Sequence, residues 1–238
     1  MNQRSGRDSA YWPKQTPTLT PDQERIREDF VDYWLSVLPR RYGLIEWINH
    51  RLAVPPLSPR GGRTLEVGAG RGAHLAFEDL ADQDYTALEL RPALAVELQS
   101  RFPAVRVLCG DVQQRIDAPD ASFDRVLAIH VLEHLPDVPA ALREIRRVLR
   151  PDGVFGAVIP CEGGQAYTLA RRISAQRLFE QRYGCSYDWF VRSEHINTVW
   201  PLLDVLRASF PRTSVSYWPF RVPSIHLNLV LGVECRLM

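Results

Sequence analysis

No run of about eighteen apolar residues, the length that spans a bilayer, occurs anywhere in the chain, and the polar N-terminus has no apolar signal core. Paired cysteines are absent as well. Cys109, Cys161, Cys185 and Cys235 form no CxxC pair and no zinc-ligand spacing, so neither a disulfide framework nor a bound metal is expected. Nor is there an excess of one charge. Lys plus Arg (29) and Asp plus Glu (28) nearly cancel, whereas a protein gripping many phosphates carries a basic surplus. The arginines of residues 143–150 read as the solvated face of a helix. A cytoplasmic protein with reduced thiols, no membrane span and no nucleic-acid signature is the expectation; a homodimer stays open. The 238 residues suffice for one elaborated domain.

What is present falls into five stretches. Residues 1–19 are polar, lack a periodic apolar face and read as a mobile arm. Residues 20–60 hold two helices. Thr20, Pro21 and Gln23 have the pattern of a capping box, and Ile26, Phe30, Tyr33, Trp34, Val37 and Leu38 recur at helical spacing. A second helix spans about 44–52, before the breakers Pro55, Pro56 and Pro59.

In residues 61–160 the texture becomes alternating. Strands are expected at 64–67, 85–90, 105–109, 123–129 and 154–159, with helices at 73–81, 92–102 and 138–149. Such alternation implies an α/β fold: a Rossmann-like, doubly wound, mostly parallel sheet with helices on both faces. Residues 161–212 are longer than a minimal link and read as a cap, with a helix near 167–181, then aromatics, then a helix ending about 209. Residues 213–238 complete the sheet as an antiparallel hairpin of strands 213–221 and 227–236.

Sheets of this kind bind ligands at the carboxyl ends of their strands, where the unusual residues fall. Gly68, Gly70 and Gly72 follow the first strand and permit a tight turn that a ligand can approach. Alone, that loop also fits a dinucleotide fingerprint. Three acids distinguish it. Glu66 precedes the glycines, Glu89 ends the second strand twenty-one residues after Gly68, and Asp111 follows Gly110 after the third. They suit ammonium, ribose and adenine donors and would repel a pyrophosphate.

Together with Leu132-Glu133-His134-Leu135 after the fourth strand and the Arg150-Pro151-Asp152-Gly153 approach to the fifth, these motifs resemble class I S-adenosylmethionine-dependent methyltransferases. Asp152 stands where that family usually has glycine. The resemblance covers residues 63–160 and implies S-adenosyl-L-methionine as cofactor. Gly68, Gly70 and Gly72 would line its methionine and ribose portion with Glu66 nearby, Glu89 would take the ribose hydroxyls, and Asp111 the adenine amino group. The Val112 N–H would meet a ring nitrogen, and Ile129 and His130 would lie near the reacting methyl.

The acceptor is expected to be a small molecule, sugar, lipid or natural-product scaffold methylated on oxygen or nitrogen. A hydroxyl acceptor needs a proton acceptor, for which His130 and His195 are the catalytic candidates. The aromatic cap residues Tyr183, Tyr187, Trp189 and Phe190 either wall the acceptor pocket or anchor the cap. Alternatives are a methyltransferase acting on RNA or protein, a non-catalytic cofactor-binding subunit, and an NAD-dependent oxidoreductase.

Overall fold

The computed structural model describes residues 12–55 and 62–238; residues 1–11, Pro56 and Pro59 lie outside them. Seven strands form one sheet in the order β3-β2-β1-β4-β5-β7-β6. They are β1 (Arg63–Val67), β2 (Asp84–Glu89), β3 (Arg106–Cys109), β4 (Phe123–Ile129), β5 (Leu149–Pro160), β6 (Arg212–Trp218) and β7 (Val230–Arg236). The first five are parallel, and β7 runs antiparallel to both β5 and β6. The doubly wound sheet with a closing hairpin is therefore present.

Alternation along the strands divides the core. Leu65, Val67, Val126 and Ala128 join the apolar cluster that also holds Leu142 and Ile145 of helix α4 (Val138–Val148). Leu202 and Leu206, from the later helix Val199–Ser209, complete that face. Tyr85 and Ala87 point to the other face, against Leu98 of α3 (Pro92–Arg101). Period-two strands and a period-3.6 stripe on α4 leave no other assignment of faces.

Helix α1 (Pro21–Arg41) begins with the expected box: Gln23 N–H donates to Thr20 Oγ1 (3.3 Å) and Thr20 N–H to Gln23 Oε1 (3.0 Å). α2 (Gly43–Trp47) continues into a π turn, Ile48–Leu52. The cap runs as α5 (Gln165–Arg171), a π turn (Arg172–Gln176), α6 (Arg177–Tyr183) and α7 (Asp188–Glu194), followed by α8 (Val199–Ser209). Phe30 of α1 meets Phe179 and Phe190 edge-on, at 5.0 and 5.2 Å between centroids, within a cluster that includes Tyr187. The cap aromatics thus anchor α6 and α7 to α1.

Three expectations need correction. No α-helix occupies residues 73–81; a single 3-10 turn, His74–Phe77, stands there. Glu78 is extended (φ −109°, ψ 147°) and pairs with the buried Arg125 of β4 at 2.6 Å, so the chain leaves helical geometry to make that ion pair. Second, residues 12–19 have no regular structure but are not a free arm. Lys14 donates from its backbone to Pro136 O (2.8 Å) and from Nζ to Ile196 O (3.0 Å), and Trp12 packs on the core. Third, the terminal hairpin is shorter than expected on both sides. Buried Asn228 ties the intervening loop, accepting from Phe220 N–H and donating to the Val222 and Ser224 carbonyls, while Pro219 has no N–H for the ladder.

Candidate active site

The turn after β1 is built from left-handed glycines: φ is +68° at Gly68, +55° at Gly70 and +78° at Gly72. The three differ in what surrounds them. A Cβ on Gly68 would strike Val131 Cγ2 at 2.6 Å, and one on Gly72 would strike Leu98 and Phe102 at 2.7 and 2.8 Å. At Gly70 a Cβ would meet nothing within 4 Å. Gly70 is therefore the open position of the loop, whereas Gly72 seats the loop on α3. Above the loop, Arg71 reaches Asp32 of α1 at 3.6 Å, which places α1 over this edge of the sheet.

Glu89 closes the site from β2 and is 4% exposed. Its Oε2 accepts the Gly70 N–H (2.8 Å) and its Oε1 the Arg91 N–H (3.0 Å). Arg91 Nε adds a long third contact to Oε1 (3.5 Å), and since a carboxylate has about four acceptor positions, capacity remains on Oε2 for a hydroxyl donor. Asp111, after β3, is half-buried and turns back on its own loop, accepting from Gln113 N–H (2.9 Å) and Gln113 Nε2 (3.0 Å). The Val112 side chain is in the core, and its N–H donates to no other described residue. Open space at Gly70, spare capacity on Glu89 and a free N–H at Val112 fit a ligand bearing ribose and a ring with both a donor and an acceptor.

Glu66 lies deeper than a direct contact requires. It is 3% exposed and accepts from Tyr85 OH at 2.9 Å. Burial pushes its carboxyl up to about 8, against the Tyr85 hydrogen bond and with help from the neighbouring Glu78. Glu78 itself is held down at about 2: burial opposes this, but hydrogen bonds from His74 and Arg125 outweigh it. Ile129 packs with Ile48, Val158 and Trp218 beneath the strand end.

β4 is followed by His130, a non-glycine residue at φ +54°, a conformation that persists only where its surroundings hold it. His130 Nδ1 lies 3.2 Å from Glu133 Oε1, in the 3-10 turn Leu132–His134. His134 Nδ1 lies 2.7 Å from the Glu194 carbonyl oxygen. His195, after α7, pairs through Nδ1 with Glu162, which Arg171 also holds at 2.8 Å. The two sequence-chosen histidines, His130 and His195, thus belong to one cluster joined through Glu133 and His134. Burial would raise the Glu133 carboxyl, yet the His130 hydrogen bond and the His134 and His195 charges hold it at about 2. Burial lowers His134; for His195 it is outweighed by the bond to Glu162, which raises it. Glu162 and Arg171 escaped sequence reasoning. The only local sign was the Gly163-Gly164 pair beside Glu162, where a Cβ on Gly164 would meet the Ile225 carbonyl oxygen at 2.0 Å.

Residues 65–157 match the family model described as a methyltransferase domain. A probable phthiotriol/phenolphthiotriol dimycocerosates methyltransferase of Mycobacterium ulcerans is 36% identical over 107 residues, 42% of this chain and 41% of the relative. A malonyl-[acyl-carrier protein] O-methyltransferase of Serratia marcescens is 33% identical over 108 residues, 45% of this chain and 42% of the relative. The chain thus spans less than half the length of these curated relatives. Among solved structures, a SAM-dependent methyltransferase of Thermotoga maritima, described as a possible histamine N-methyltransferase, superposes with a TM-score of 0.61 at 20% identity, covering 90% of this chain and 99% of that one.

Proposed function

We propose that this chain, whose residues 65–157 match a methyltransferase domain, uses S-adenosylmethionine to methylate an oxygen or nitrogen of a small molecule, sugar, lipid or natural-product scaffold. The observation that carries this reading is the open Gly70 position held by the Glu89 carboxylate, with the Val112 N–H unused after β3 on the same sheet. Gly68 and Gly70 border the methionine and ribose portion of the cofactor, Glu89 takes the ribose hydroxyls, and Asp111 and Val112 take the adenine. Gly72 serves by seating the loop, and Glu66 by supporting it from below through Tyr85. Ile129 shapes the strand end from beneath.

When bound, S-adenosylmethionine supplies a methyl group already activated on a sulfonium. What remains for the protein is to exclude water, orient the acceptor and remove a proton where the acceptor is a hydroxyl. His130 is placed for the last task. Its Nδ1 faces Glu133, and its Nε2 is buried without a partner among the described residues, so the tautomer with a lone pair on Nε2 is favoured. An apolar acceptor body is favoured by exposed Leu169 and Ile173, next to a loop that exposes Phe220 and Leu227 and meets the cap where Ala166 N–H donates to His226 O.

Calorimetry with S-adenosylhomocysteine tests the reading. One equivalent should bind, and Gly70→Arg, which fills the open position, should weaken binding by more than about a hundredfold while the chain stays folded. Tight NADH binding with none of the sulfonium-derived ligand would overturn it.

A further inference from the structure

Three side chains from two separate segments converge where β4 ends. Glu133 and His134 come from the 3-10 turn Leu132–His134, and His195 from the link between α7 and α8. One ligand atom from each lies within 4.8 Å of the other two. Glu133 Oε1 is 3.9 Å from His134 Nε2, and the His134 and His195 rings meet edge-on with centroids 5.0 Å apart. Donors bound to one ion at about 2.0–2.2 Å lie roughly 3 Å from one another, so side-chain adjustments of about an ångström close this set on a cation.

The histidines are already oriented for that role. A metal-binding imidazole ordinarily donates its other N–H to a carbonyl or carboxylate, which fixes the tautomer and presents a lone pair. His134 Nδ1 is paired with the Glu194 carbonyl, and His195 Nδ1 with the Glu162 carboxylate, itself braced by Arg171. In both, Nε2 is left as the ligating nitrogen. Glu133 provides an independent observation. Its side chain is 1% exposed, its Oε1 faces His130, and its Oε2 has no hydrogen-bond partner among the described residues. A buried carboxylate oxygen without a donor is costly, and a cation beside it removes the cost.

We propose that Glu133, His134 and His195 bind a divalent transition-metal ion as a two-histidine, one-carboxylate site. This donor set favours manganese, iron, cobalt or zinc over magnesium and calcium, which prefer oxygen ligands throughout. The histidines are partly exposed, at 35% and 19%, so the ion has an entry path and coordination positions left for an acceptor oxygen. That last role rests on the methyltransferase reading; metal binding does not. The expectation of no metal came from cysteine spacing, which is blind to ligands lying sixty-one positions apart at His134 and His195.

The test is titration of Co2+ into the metal-stripped full chain, followed by calorimetry and visible absorption. One equivalent should bind saturably. His134→Gln and His195→Gln should each weaken binding at least tenfold, and Glu162→Gln, which changes the partner of His195 and no ligand, by about tenfold. Thermal melts without metal establish that each variant is folded. Absence of saturable binding up to about 1 mM Co2+ near neutral pH, or binding unchanged by His134→Gln and His195→Gln, overturns the proposal. The same samples titrated with S-adenosylhomocysteine keep the two readings apart, since loss of that binding strikes the methyltransferase assignment and leaves the metal result standing.

Discussion

At the scale of single residues, the glycine loop divides its labour. Gly70 has open space where a side chain would go, while Gly72 is packed against Leu98 and Phe102. Sequence reasoning grouped the three glycines as cofactor-lining because spacing shows that a turn exists and not which way each residue faces. Their substitutions should therefore differ in kind. Gly72→Ala combines overpacking with an unfavourable left-handed backbone and should cost about 2–4 kcal/mol in a denaturant melt. Gly70→Ala carries only the backbone penalty, about 1–2 kcal/mol. Equal losses at both positions would show that the loop is not oriented as described. His130 was legible because it follows the apolar run that ends β4; its partner Glu133 was legible only as part of a motif.

At the scale of elements, the turn after β1 is where local pattern and tertiary demand disagree. Residues 73–81 have the composition of a helix, yet Glu78 is drawn to Arg125, forty-seven positions away, and His74 Nε2 lies 2.8 Å from Glu78 Oε1. Arg125 is 2% exposed and also donates to Thr64 Oγ1 and the Pro55 carbonyl. Leaving it buried and unpaired is expensive, so Glu78→Ala should destabilise the chain by about 3–5 kcal/mol. The double variant Glu78→Met with Arg125→Met should recover much of that loss in the same unfolding assay. The capping box of α1 needed no such help, because its two members, Thr20 and Gln23, lie within one turn of helix.

At the scale of the whole molecule, burial of acids under the sheet makes stability depend on pH. Glu66 holds its proton up to about pH 8 in the folded chain, whereas an exposed glutamate releases it near 4.5. Between those values the folded state binds more protons than the unfolded one, so this group's contribution is full below 4.5 and is lost as pH rises through 8. Glu66→Gln keeps an acceptor for Tyr85 and should remove that slope, leaving the variant more stable than the parent above pH 8 by on the order of 2 kcal/mol. Denaturant midpoints for the two proteins across pH 5 to 9 decide it; parallel curves would mean that Glu66 is ionised in the fold.

What the sequence determined by itself was the layered sheet, its strand ends and the acids standing on them, since a strand's period and the residue that ends it are local properties. Tertiary structure alone decided that Glu78 would break a helix to reach Arg125. It also decided that the cap aromatics would close on Phe30, and that Glu133, His134 and His195 would meet with Glu162 behind them. Each of these joins residues from separate segments, and what selects them is the cost of leaving a charge, a ring or a carboxylate oxygen buried without a partner. That cost exists only once the chain has folded around it.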